Sequence, residues 1–233
     1  MTVILLRHGR STSNTAHVLA GRATGIDLDD KGREQADGLV ARIGSLPIRA
    51  LVTSPLLRCR RTLEPLAAAL GLEPIVDERL SEVDYGQWTG RKIGELVKEP
   101  LWAVVQAQPS AAVFPEGEGL ADVQARAVAT VRERDRRLAE EHGGQVLWLA
   151  CTHGDVIKAV VADALGTHLD SFQRITADPA SMSVISYTPL RPFVVHINHT
   201  GAQLAAGLAA KPSESDGAAE VPKGDAVVGG STD

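Results

Sequence analysis

Val3-Ile4-Leu5-Leu6-Arg7-His8-Gly9 runs an apolar stretch straight into a basic residue, a histidine and a glycine. The same ending recurs far along the chain. There the apolar run Val146-Leu147-Trp148-Leu149-Ala150 leads through Cys151 to Thr152-His153-Gly154. Short, unbroken apolar runs suit strands buried on both faces, as in a parallel sheet. If the two strands lie side by side and parallel, both histidines emerge at one carboxyl edge, where open α/β sheets bind ligands.

Outward from these runs the pattern alternates. Thr2–Leu6, Ala50–Thr53, Ile75–Val76 and Val146–Cys151 read as short buried strands, and Asp29–Ile43, Leu56–Leu70, Gly119–Glu141 and Asp155–Leu165 show helical spacing of apolar residues. Asp29 or Asp30 is placed to cap the first helix, because a short carboxylate accepts its free N–H groups. Gly71 follows the second helix where a left-handed cap is expected. Ser183–Tyr187 and Val194–Asn198 form a closing strand pair, separated by Pro189 and Pro192. The alternation predicts an α/β three-layer sandwich, with a mostly parallel central sheet flanked by helices.

The 233 residues suit one α/β domain, expected over residues 1–200. From about Lys211 the chain turns to Ser, Gly, Ala, Pro and Asp, so 201–233 is expected to be a largely disordered tail. A net charge of −5 gives no general attraction to nucleic acid or anionic membranes. The N-terminus has neither the basic start nor the cleavage site of a signal peptide, and no run approaches the ~20 apolar residues of a membrane span. Cys59 and Cys151 are too few for a disulfide framework and read as buried apolar residues in a reducing cytoplasm. Whether the chain forms a homo-oligomer is left open.

Three segments carry the chemistry. Ser11, Thr12 and Asn14 follow Arg7-His8-Gly9 in a polar stretch suited to open a helix, where N–H groups and a short amide can hold anionic oxygens. Thr53-Ser54-Pro55-Leu56-Leu57-Arg58 is again a strand leading into a helix. It places Arg58 on the first turn, from which a guanidinium can grip an oxyanion bidentately. Leu80-Ser81-Glu82-Val83-Asp84-Tyr85-Gly86-Gln87-Trp88-Thr89-Gly90 brings two carboxylates among turn glycines and aromatics. On alternation alone Glu82 and Asp84 compete for the role of an acid.

In this order the segments resemble the histidine phosphatase superfamily, in its phosphoglycerate mutase-like branch with an Arg-His-Gly signature. The resemblance covers roughly residues 2 to 200. It implies an attacking histidine at His8, a second histidine at His153, phosphate clamps at Arg7 and Arg58, and a proton donor at Glu82. Asn14 and the backbone of Gly154 would complete the phosphate pocket, and Gly21-Arg22 resembles a segment lining the substrate side. The implied substrate is a small-molecule phosphate ester, with no metal and no cofactor. The implied reaction is hydrolysis through a phosphohistidine. A phosphoglycerate mutase-type transfer and a non-catalytic phosphate-binding module are the alternatives.

The chemistry is consistent with those residue types. A phosphate monoester carries close to two negative charges near neutrality, which Arg7, Arg58 and a protonated His153 would offset. His8 must present a bare nitrogen, its other nitrogen donating to a carbonyl. By the same resemblance, the segment between Gly90 and Glu118 is expected to cover the pocket. Its basic residues are Arg91, Lys92 and Lys98, set against Glu95, Glu99, Glu116 and Glu118, while Trp102, Val104, Val105 and Phe114 are apolar. So balanced a cover suits a phosphatase better than a mutase that must retain a bisphosphate. His196 and His199 read as strand-end residues, His17, His142 and His168 as surface or loop residues, and Trp148 as core. The run Arg132-Glu133-Arg134-Asp135-Arg136-Arg137 reads as a solvated helical face with i,i+3 and i,i+4 pairs.

Overall fold

The computed structural model describes residues 1–143 and 146–201. The described strands are β1 (Thr2–Arg7), β2 (Ile48–Thr53), β3 (Ile75–Val76), β4 (Leu147–Thr152), β5 (Met182–Tyr187) and β6 (Pro192–His199). They form one sheet in the order β3-β2-β4-β1-β5-β6. The first four in that order run parallel, and β5 and β6 add on antiparallel beyond β1. The helices are α1 (Thr12–Thr15), α2 (Asp30–Ile43), α3 (Leu57–Leu70), α4 (Ile93–Leu96), α5 (Pro100–Ala107), α6 (Leu120–His142) and α7 (Gly154–Leu165).

The alternation of side chains along β1 and β4 divides the core into two layers. Val3, Leu5, Trp148 and Ala150 pack with Val123, Ala127 and Val131 of α6 and Val156 and Val160 of α7. Ile4, Leu6, Leu149 and Cys151 pack with Leu39 and Ile43 of α2 and Leu63 and Leu66 of α3 on the opposite face. This is the expected sandwich. Asp29 caps α2 by accepting the N–H of Gly32 (2.8 Å), and Gly71 ends α3 in the left-handed region at φ 64°.

Two expectations need correction. Ile75 and Val76 are not buried but 42% and 49% exposed, because β3 is the edge of the sheet and pairs only with β2. The Arg132–Arg137 run is not a simple solvated face. Asp135 is buried and accepts the indole N–H of Trp148 (3.0 Å). Arg132 pairs with Asp163 (2.7 Å), Glu133 with Arg79 (2.6 Å) and Arg134 with Asp77 (3.0 Å). Arg137–Glu141 (3.8 Å) is the described i,i+4 pair. Packed against α7 and the segment after β3, α6 meets partners from other elements before its own neighbours.

The tail expected from 201 onward lies, apart from Gly201, outside the described residues. Among the described residues no helix is long and apolar enough to cross a membrane.

Candidate active site

The parallel register of β1 and β4 sets Arg7 opposite Thr152, so the next residue of each strand is a histidine at the carboxyl edge. The rings of His8 and His153 stand 5.3 Å apart, centroid to centroid. His8 is fixed at both main-chain ends: its N–H donates to Thr152 (3.0 Å) and its carbonyl accepts from Ala180 (3.1 Å). Its Nδ1 lies 2.7 Å from the Gly9 carbonyl. A carbonyl can only accept, so Nδ1 carries the proton and, in the neutral ring, Nε2 is bare. Burial, followed by the charges of Arg58 and Arg7, pushes the His8 pKa well below the usual imidazole range. The neutral form is the one held.

Arg58, on the first turn of α3, donates from Nε to that bare Nε2 (3.3 Å) and from Nη2 to the Gly21 carbonyl (2.9 Å). Its Nη1 is buried and, among the described residues, has no hydrogen-bond partner. A buried guanidinium nitrogen beside a nucleophilic imidazole is a donor suited to an oxyanion. Arg7 is also buried and donates from Nη1 to the Ala177 carbonyl (2.7 Å). Thr62 links the two halves of the site, its Oγ1 accepting from the Gly9 N–H (2.9 Å) and donating to the Arg58 carbonyl (2.7 Å). At Gly9 only glycine fits the close approach of α2, since a Cβ would stand 2.7 Å from the Gly32 carbonyl oxygen.

His153 caps α7 and is fully buried. Its Nε2 lies 2.8 Å from Ser54 Oγ and 3.5 Å from Cys59 Sγ. Burial, then Arg58 and His8, press its pKa well below the imidazole range. The protonated His153 expected from sequence is the form expected beside a bound phosphate. A desolvated ring next to two guanidinium groups sheds its proton, and a phosphate dianion beside it would be needed to reverse that balance.

Glu82 is buried, with Oε1 accepting from the Val83 N–H (3.0 Å) and Oε2 3.9 Å from His153 Nδ1. Burial first, then Asp155, push its pKa up to about 7, while Arg58 and Arg7 pull it down. A carboxyl so placed can hold or release a proton near neutrality. Asp84 faces elsewhere. One of its oxygens accepts from the Gly86 N–H (3.0 Å), and the other lies 3.9 Å from Arg22. Of the two rivals, Glu82 is the one beside the histidines.

The remaining expected residues take supporting positions. Asn14 Oδ1 is held by the N–H and hydroxyl of Ser11 (2.9 and 2.8 Å), which leaves Nδ2 as its donor end. Gly21, at φ +49°, orients Arg58 through its carbonyl. Arg22 pairs with Glu118 (2.8 Å) and donates to the Glu82 carbonyl (2.9 Å). Gly154 opens α7, so its N–H lies at a helix N-terminus. In the cover, Val105 and Phe114 are buried, and Trp102 stacks on Trp88 at 6.2 Å. Those apolar side chains pack the cover down, and Arg91 is paired with Glu99 (2.7 Å). Among the described residues no group of three or more His, Cys, Asp or Glu is arranged to hold a metal ion.

Sequence reasoning missed Ser54, Cys59, Thr62 and Arg126 as site residues. Arg126 on α6 donates to the Glu82 carbonyl (3.2 Å) and pairs with Glu118 (2.9 Å). Ser54 stood inside a quoted motif, but nothing in its spacing points it at a histidine 99 residues away. Asp155 was read only as the start of a helix; it is buried, accepting from the Tyr85 hydroxyl (2.8 Å).

The model of the histidine phosphatase superfamily, branch 1, matches residues 3–200, and the chain belongs to that superfamily. It is 30% identical over 204 residues to phosphoserine phosphatase 1 of Hydrogenobacter thermophilus, covering 85% of this chain and 92% of the relative. It is also 30% identical over 190 residues to "Probable phosphoglycerate mutase GpmB" of Photorhabdus laumondii, covering 80% of this chain and 85% of that protein. Mycobacterial relatives are longer, and the chain spans 54% of their length. Among solved structures it is similar to YhfR of Bacillus stearothermophilus, at a TM-score of 0.76 and 27% identity, covering 85% of this chain and 96% of that one. The chain is a histidine phosphatase of the phosphoglycerate mutase-like type.

Proposed function

We propose that this histidine phosphatase hydrolyses small phosphate monoesters, without a metal ion, through a phosphohistidine on His8. The observation that carries the reading is the bare Nε2 of a neutral, buried His8 set against Arg58, whose Nη1 is buried without a partner among the described residues. His8 Nε2 attacks phosphorus as the ester P–O bond breaks, and Glu82 gives its proton to the leaving oxygen. Water then attacks the phosphohistidine, Glu82 takes the water's proton, and the P–N bond breaks to release phosphate. Arg7 and Arg58 balance the charge on the equatorial oxygens throughout. Asn14 Nδ2 and the Gly154 N–H add donors to the same group. The incoming dianion favours protonation of His153, which then shares that role.

Hydrolysis is favoured over mutase transfer because, among the described residues, Arg91 of the cover is paired with Glu99 and Arg22 beside the site with Glu118, which leaves only the exposed Lys92 and Lys98 in the cover for a second phosphate. The similarity to a phosphoserine phosphatase supports a small, polar ester as substrate. Residues 1–200 form the catalytic unit under this reading. The two buried, unpaired thiols Cys59 and Cys151 are consistent with a reducing cytoplasm. Rapid-quench mass spectrometry tests the intermediate. A phosphorylated peptide containing His8, lost on acid treatment and kept in base, is the expected product. Phosphate retained on any other residue would contradict the proposal.

A further inference from the structure

The ends of three neighbouring strands meet at His153. Ser54 is the first residue past β2, as His8 and His153 are the first past β1 and β4. Its N–H donates to the Cys151 carbonyl of β4 (2.9 Å), which fixes it beside His153, and it is fully buried. Its hydroxyl oxygen lies 2.8 Å from His153 Nε2. Among the described residues the other partner of that oxygen is the Leu56 N–H (3.4 Å), which can only donate. The hydroxyl proton therefore has one acceptor in reach, and that acceptor is Nε2. Cys59 Sγ, the remaining neighbour of Nε2, stands farther off at 3.5 Å, and its thiol donates to the Thr152 carbonyl (3.6 Å).

Resting on the reading of His8 as nucleophile, we propose that Ser54 is a positioning residue: its hydroxyl donates to His153 Nε2 and so keeps the proton of the neutral ring on Nδ1, the nitrogen 3.9 Å from Glu82 Oε2. From there the ring offers an N–H to a phosphoryl oxygen without first becoming a cation. The two histidines thus carry their proton on the same nitrogen to opposite ends. The Nδ1–H of His8 is spent on the Gly9 carbonyl, which frees Nε2 to attack. The Nε2 of His153 is spent on Ser54, which frees Nδ1–H to donate. A hydroxyl can also turn and accept. When a bound dianion draws a second proton onto the ring at Nε2, Ser54 accepts from it, so neither charge state leaves that buried nitrogen without a partner.

The test is the imidazole nitrogen NMR of His153 at neutral pH in the wild type and Ser54→Ala, beside kcat for p-nitrophenyl phosphate in both. The wild type should show a protonated Nδ1 and a bare Nε2. In Ser54→Ala only the sulfur of Cys59 remains beside Nε2, so the proton should move to Nε2, which can then donate to that sulfur. The fall in kcat should be about 10–100-fold, less than the ~10⁴ lost where a carboxylate sets the tautomer of a catalytic base. A merely structural role would change the rate or the melting temperature and leave the tautomer as it was. A wild-type ring protonated at Nε2, or a tautomer that Ser54→Ala leaves unchanged, overturns the proposal. If the tautomers behave as expected but the wild type traps no phosphate on His8, the nucleophile reading itself has failed, and the role of Ser54 in turnover falls with it.

Discussion

His8 and His153 face one another with their ring centroids 5.3 Å apart, although they stand 145 positions apart in the chain. The parallel pairing of Arg7 with Thr152 is what brings them together, since each histidine is the first residue past its strand. Both rings are buried and both are held neutral. A site with two neutral imidazoles and two buried guanidinium groups has a positive surplus that an anion can offset, and the predictions below follow from that balance.

Arg58→Lys keeps the positive charge and loses the fork, so it removes both the contact to His8 Nε2 and the Nη1 donor. The expected result is a fall in kcat of about 10²–10³, the usual cost of losing one preorganised donor. The inhibition constant of inorganic phosphate should rise in the same variant, while the melting temperature changes little.

Glu82→Gln should slow hydrolysis of an alkyl phosphate by about 10²–10⁴, the range for loss of a general acid. Hydrolysis of p-nitrophenyl phosphate should suffer far less, because nitrophenolate leaves without a proton. Equal slowing of both esters would place the donor elsewhere, with Asp84 the first residue to test.

With a Glu82 pKa of about 7, kcat/KM for an alkyl phosphate should decline as pH rises through 7 and the carboxyl loses its proton. His8, held well below the imidazole range, imposes no acid limb near neutrality. Stability follows the same sign. Between the ordinary carboxyl range and pH 7 the folded protein binds more protons at Glu82 than the unfolded chain, so stability falls as pH rises through that window. Glu82→Gln should flatten this part of a melting temperature against pH curve.

Gly9→Ala tests the packing beneath the nucleophile. Its Cβ would stand 2.7 Å from the backbone oxygen of Gly32, which no side-chain rotation relieves. A loss of about 1–3 kcal/mol in chemical denaturation is expected, as for other overpacked sites, together with reduced activity from a displaced His8.

Much of this architecture was legible in the chain. The unbroken apolar runs marked β1 and β4, and their shared His-Gly ending told that both reach one edge. Asp29 and Gly71 marked helix ends through local chemistry that packing did not override. β3 was misjudged because Ile75 and Val76 read as core by composition, while exposure depends on which strand ends the sheet. The histidines and Arg58 stood in local motifs at strand ends, whereas Glu82 was separated from Asp84 only by the family resemblance. Ser54, Arg126 and the Asp155–Tyr85 pair were not legible, since their partners lie on other elements and no periodicity links them. The charge state of His153 was not legible without packing: burial and the two nearby arginines press its pKa down, so the protonated ring expected beside a phosphate depends on the phosphate itself.

The central claim is that His8 is the nucleophile of a metal-independent hydrolysis. The measurement that tests it most directly is turnover of p-nitrophenyl phosphate in excess EDTA, wild type beside His8→Ala, with melting temperatures taken on both. Steady turnover by the wild type and background rates from an equally stable His8→Ala are predicted. Near wild-type turnover by His8→Ala, or loss of wild-type activity in EDTA, would contradict the claim.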